Sequence, residues 1–139
     1  MKKILSALHQ KIIVVLLGMI GFSVGCIRAE YGVPTADFIL NGEVKSRTTE
    51  LPITGIQITM RHDTVFTNQN GAYDITIYDF PTEQTYNVRF EDIDGQTNGS
   101  FESKDTSITF SGDNFSGGDG WYEGETHKTL TVFLDETPE

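Results

Sequence analysis

Positive charge is scarce in this sequence: ten Lys and Arg stand against twenty Asp and Glu in 139 residues, a formal net charge of −10. Three of those bases, Lys2, Lys3 and Lys11, precede Cys26 and no acid does, so a chain cut before Cys26 would carry −13. Phosphate backbones and anionic headgroups repel such a chain, which excludes nucleic acid as a partner. Cysteine is rarer still: Cys26 stands alone, so no disulfide can close within the chain. The one strongly apolar run, Ile12 to Phe22, has 11 residues, short of the roughly 20 that span a bilayer comfortably as a helix. Signs of catalysis are missing as well. There is no G-x-S-x-G, no clustered His and Cys for zinc and no phosphate-cradling glycine loop. His62 and His127 are 65 residues apart and read as solvated strand-end residues. Paired carboxylates can cleave glycosides, but acids this abundant make some proximity inevitable. Without a site, no enzyme is expected, and a hydrolase stays a remote alternative.

What is present begins with a three-part N-terminus. Lys2, Lys3 and Lys11 form a positive region, the 11-residue apolar run follows, and Ser23 and Gly25 supply small residues just before Cys26. That is the layout of a secretion signal. The stretch Phe22-Ser23-Val24-Gly25-Cys26 resembles the bacterial lipobox, with Ser where Leu is commoner at the third position before the cysteine. The resemblance implies that the Cys26 thiol receives a diacylglycerol, that residues 1–25 are removed, and that the new amino group is acylated, for example with palmitate. Several acyl chains would anchor the protein firmly. It also implies a cell-envelope address. Ile27, rather than Asp, follows the cysteine, which favours the outer membrane, and "IRAEYG" carries only Glu30 as an acid, which favours a periplasm-facing position. Residues 26–35 then form a tether of at most roughly 35 Å.

From Ala36 to Glu139 the length suits one domain, and no helical period appears. Apolar and polar residues alternate over 56–60, 73–77, 86–90 and 130–134, as in strands with one buried face. Phe38, Leu40 and Val44 suggest a first strand, 65–67 a short one, and 107–110 another. Turn signals lie between them: "NQNG" at 68–71, "DFP" at 79–81, "DIDG" at 92–95 and "SGGDG" at 116–120. The fold class expected is all-β, a single antiparallel β-sandwich. Gly42-x-Val44, Leu51-Pro52-Ile53-x-Gly55-Ile56-x-Ile58, Thr67-x-x-x-Gly71-x-Tyr73-x-Ile75 and Tyr86-x-Val88 resemble the carboxypeptidase regulatory-like domains, small sandwiches of the transthyretin-like, Ig-like type. Asn70-Gly71 reads as a tight hairpin turn needing positive φ. Such domains are usually accessory or binding modules.

A second resemblance covers the rest. "EYGVP" at 30–34, "FEDIDGQTNGSF" at 90–101 and "GGDGWYEGE" at 117–125, with Lys128, are similar to the radical SAM-associated lipoprotein family of Bacteroidetes. The family name implies a radical SAM protein as a neighbour and candidate partner, and no activity for the chain itself.

Two constellations are candidates for binding. From Asp94, oxygen side chains fall at positions 1, 3, 5 and 9 (Asp94, Gln96, Asn98, Glu102), Gly99 at 6 and Asp105 at 12, as in a calcium loop of the EF-hand type. The flanks read as strands, where an EF-hand needs helices. Asp92 and Asp94 with Asp113 or Asp119 form an alternative calcium set, and turn chemistry alone also selects Asp, Asn and Gly here. Trp121 and Tyr122, framed by glycines and acids, form either an exposed aromatic platform for sugar or protein or one end of the core. The reading is a membrane-anchored binding or accessory module with a protein partner in the envelope. The rival is a passive scaffold or a substrate that a radical SAM enzyme modifies.

Overall fold

The structure, a computed structural model, describes residues 32–138. The expected signal 1–25, Cys26 and most of the tether lie outside the described residues. Eight strands follow in order: β1 Thr35–Ser46, β2 Ile56–Met60, β3 Asp63–Phe66, β4 Ala72–Asp79, β5 Gln84–Asp92, β6 Lys104–Phe110, β7 Ser116–Asp119 and β8 Tyr122–Leu134. They form two four-stranded sheets, ordered β4-β1-β8-β7 and β3-β2-β5-β6. The protein is an all-β sandwich, and no described residue is helical.

Alternation makes the layers. Burial alternates along β2, β4 and β5, so each strand turns every second side chain inward. Phe38 and Leu40 of β1 meet Ile58 and Met60 of β2, Ile75 of β4, and Val88 and Phe90 of β5 in one core. Phe38 anchors an aromatic cluster, edge-to-face with Tyr86, Phe110 and Phe115 at centroid distances of 5.4–5.6 Å. Such contacts add to burial the attraction between a ring's positive edge and its neighbour's negative face.

The fold departs from the expected pattern in three places. β1 pairs antiparallel with β4 but parallel with β8, in register from Asp37↔Glu125 to Ser46↔Leu134. A half-buried strand alternates identically whichever way its neighbour runs, so alternation cannot reveal this. Asn70-Gly71 does form a turn, with Gly71 at φ 69°, but it joins β3 and β4, which lie in different sheets. It is a crossing between layers, not a hairpin. The Asn68 carboxamide oxygen accepts the Asn70 and Ala72 N–H groups to hold it, and buried Thr67 braces it by donating to the Ile53 carbonyl at 2.7 Å. Third, Ser116–Asp119 is a short strand, β7, against the start of β8, and only Gly120 and Trp121 remain as the turn.

β7 covers β8 only over 122–125. Beyond it, the outer edge of β8 looks toward the edge strand β6 across an open side of the sandwich. Two lysines stand there. Lys104 Nζ donates to the Phe133 carbonyl at 3.1 Å, and Lys128 Nζ lies 5.9 Å from the Phe110 ring centroid.

Candidate functional site

Both ends of the sandwich are defined by β1. The chain enters at Thr35, whose N–H donates to the Trp121 carbonyl at 2.9 Å. β1, 12 residues long, ends at Ser46, so the two ends are separated by roughly 36 Å at the ordinary strand rise. A cleft of about 750 Å³ opens at the Ser46 end. Three segments wall it: the β1–β2 connection, the β5–β6 loop, and the chain after β8.

Ser46 organises the cleft. It is buried; its hydroxyl donates to Glu136 Oε1 and accepts the Thr49 N–H, both at 3.0 Å. The turn after β1 is thereby tied to the C-terminal segment. That segment continues as a one-bridge strand, Phe101↔Glu136, with the Glu102 N–H donating to the Asp135 carbonyl and the Thr137 N–H to the Ser100 carbonyl. Half-buried Phe101 packs on the core below, and Leu51 stands 64 % exposed above. Between them the wall is polar and uncharged: Thr49, Gln96, Asn98, Ser100 and Thr137. Glu136, the one charged lining residue, is already engaged by Ser46. Neither His62 nor His127 lines the cleft. Among the described residues no imidazole is placed to activate Ser46. The cleft offers hydrogen bonds and apolar contact to a neutral, polar ligand.

The calcium candidates are not brought together. Both Asp92 oxygens accept backbone N–H groups, from Asp94 at 3.2 Å and from Phe101 at 2.9 Å, closing the loop upon itself. The Asn98 carboxamide donates to Asp94 Oδ2 at 3.1 Å, while Gln96 lines the cleft and Glu102 has its main chain bonded to Asp135. Asp105 leaves the group altogether: it lies in β6 and pairs with Arg89 of β5 at 3.2 Å. The alternative partners Asp113 and Asp119 follow the far end of β6, at the Thr35 end of the sandwich. Among the described residues no three His, Cys, Asp or Glu side chains are close enough to share an ion. The loop residues are spent on shaping the cleft wall.

Trp121 and Tyr122 divide their roles. The Tyr122 hydroxyl donates to Asp37 Oδ2 at 2.9 Å, and that bond, before any burial, raises its pKa. Trp121 is open to solvent in the β7–β8 turn. His62 sits exposed in the β2–β3 turn, as expected, but His127 is mid-strand on the outer face of β8, 3.2 Å from Glu125. Ser46 and Glu136 were not legible as site residues. Their pairing spans 90 positions and only the fold creates it.

The chain is thus a two-sheet sandwich with a polar cleft between loops at one end. No protein-family profile matches the chain, and no curated protein is similar in sequence. Among solved structures it is similar to the minor pilin of the Gram-positive pathogen Streptococcus agalactiae, at 12 % identity and a TM-score of 0.46, over 78 % of this chain and 47 % of that one. It is similar also to a DUF3823 family protein from Parabacteroides merdae, at 19 % identity and a TM-score of 0.37, over 76 % and 47 %. The chain thus spans about half the length of each.

Proposed function

We propose that this chain is a lipid-anchored protein of the cell envelope, attached through Cys26, that serves as a non-catalytic binding module. One observation carries the reading: the cleft lies at the opposite end of β1 from the point where the chain enters the sandwich. A protein tethered before Thr35 would hold that cleft away from its membrane, toward the compartment. The lipobox-like stretch supports the anchor, Ile27 supports the outer membrane, and Glu30 as the lone acid of "IRAEYG" supports a periplasm-facing position. The likeness of 30–34, 90–101 and 117–125 to radical SAM-associated lipoproteins of Bacteroidetes makes a radical SAM-linked polypeptide the first partner to seek. Gln96 and residues 98–101 of that likeness line the cleft.

Two measurements test this. Palmitate should label the wild type and not Cys26→Ala, and release of an unlabelled soluble protein would refute the anchor. Capture from native envelopes should recover one recurrent polypeptide that Leu51→Asp and Asn98→Ala both lose. Retention by both variants would exclude the cleft. An added mass on the protein's own side chains, with no partner recovered, would favour a modification substrate instead.

A further inference from the structure

The opposite end of the sandwich carries a different surface. Of the large apolar side chains that are exposed, four gather where the chain enters: Val33 (57 % exposed), Tyr78 (63 %), Phe80 (54 %) and Trp121 (47 %). Their proximity follows from the ladder. The Tyr78 hydroxyl donates to Thr35 Oγ1 at 2.5 Å, Ala36 pairs with Asp79 just before Phe80, and Thr35 binds the Trp121 carbonyl. Gly32 lies directly against the indole, where a side chain of its own would come within 2.7 Å of the ring. The incoming main chain is thus laid on Trp121.

Gly32 follows Cys26 by six positions, a reach of at most roughly 20 Å. On the anchor reading above, on which this inference rests, the apolar end cannot lie far from the lipid. Trp and Tyr favour the boundary between headgroups and acyl chains, because each joins an apolar body to a polar tip. Charge narrows the choice of lipid. Glu83, Asp119 and Glu123 are exposed at this end, whereas Asp37 and Asp79 are engaged by Tyr122 and Arg61. Anionic headgroups would be repelled. We infer that Val33, Tyr78, Phe80 and Trp121 form a membrane-contact face that seats the domain on a zwitterionic lipid surface, holding the cleft upright rather than leaving it to swing on a tether.

Trp121 is the sole tryptophan of the sequence, so its emission reports this face alone. The full-length lipidated protein, reconstituted in phosphatidylcholine vesicles brominated near the headgroup end of the acyl chains, should lose more than about half of its emission relative to unbrominated vesicles, with a blue shift, as interfacial burial of the indole requires. Tyr78→Asp with Phe80→Asp, equally vesicle-bound, should recover that emission, and so should wild type in vesicles with an added anionic lipid. If the vesicle-bound wild type keeps its full emission, the face does not touch lipid and the inference is overturned, leaving the face to a protein. If the protein neither takes up palmitate nor floats with vesicles, the anchor reading fails and the inference falls with it.

Discussion

Gly71 and Gly95 both occupy the left-handed region, at φ 69° and 72°, yet their surroundings differ. A Cβ at Gly95 would meet nothing within 4 Å. One at Gly71 would lie 2.6 Å from the Val44 carbonyl oxygen and 2.9 Å from Pro52 Cβ. That carbonyl accepts the Ile53 N–H at 2.9 Å, and Gly71 itself accepts the Val44 N–H at 2.8 Å. A side chain at 71 therefore forces apart the place where β1, the β1–β2 connection and the layer-crossing turn meet. Alanine in the left-handed region costs about 1–2 kcal/mol at either site. Losing one buried main-chain hydrogen bond at Gly71 adds about 1–3 kcal/mol, for a total of about 2–5 kcal/mol. Urea unfolding of Gly71→Ala and Gly95→Ala, followed by circular dichroism, measures the difference. Gly71→Ala should lower the midpoint well beyond Gly95→Ala, and Gly71→Val at least as far as Gly71→Ala. Equal losses at the two sites would show that conformational strain alone matters and that the packing argument at the crossing turn is wrong.

Other expectations are as direct. Burial first, and then the charge and hydrogen bond of Asp79 at 3.3 Å, raise the Tyr86 pKa against the opposing Arg61, and burial raises Tyr73. Because the folded state holds these phenols neutral, their contribution is complete below the ordinary value of 10.0 and lost as pH climbs above it. The urea midpoint should fall beyond pH 10.0, and less steeply for Tyr86→Phe; an unchanged alkaline limb in that variant would refute the assignment. Millimolar calcium at constant ionic strength should move the melting temperature of wild type and Asp94→Ala alike, since Asp92 already holds two main-chain N–H groups and Asp94 the Asn98 carboxamide. A rise confined to wild type would restore a calcium site. Replacing Lys104 and Lys128 by isoleucine together should produce concentration-dependent dimers in sedimentation, because inward-pointing charge on an edge blocks strand addition. A variant that stays monomeric at high concentration would show that the open side is closed by something else.

The layers were legible in the sequence and their connections were not. Ile56, Ile58 and Met60, or Tyr86, Val88 and Phe90, announce an inward face because alternation is a local property of a strand. The parallel partnership of β1 with β8 joins residues some ninety positions apart, and no local pattern encodes direction. Turn chemistry located Asn70-Gly71 correctly, but a turn of positive φ serves a hairpin and a sheet crossing equally well. For the same reason the acid-rich loop read as ligands: Asp92 is chosen for closing a loop and for binding cations by the same two oxygens. The cleft escaped detection because Ser46, Leu51, Asn98 and Glu136 come from three distant segments; Leu51 and Asn98 stood in patterns that pointed elsewhere, and Ser46 and Glu136 in none.

The central place of β1 also governs when this protein can fold. It lies between β4 and β8, so one whole edge of the first strand waits for the last. If the chain is exported N-terminus first, as proposed above, β1 would arrive first and remain unable to complete that sheet until residues 122–134 had crossed. Contacts of such high sequence separation slow folding, typically to milliseconds or longer for all-β domains. On that proposal β1 would spend a period on the far side of the membrane with an unpaired edge, and a lipid already attached would keep the waiting chain from diffusing away.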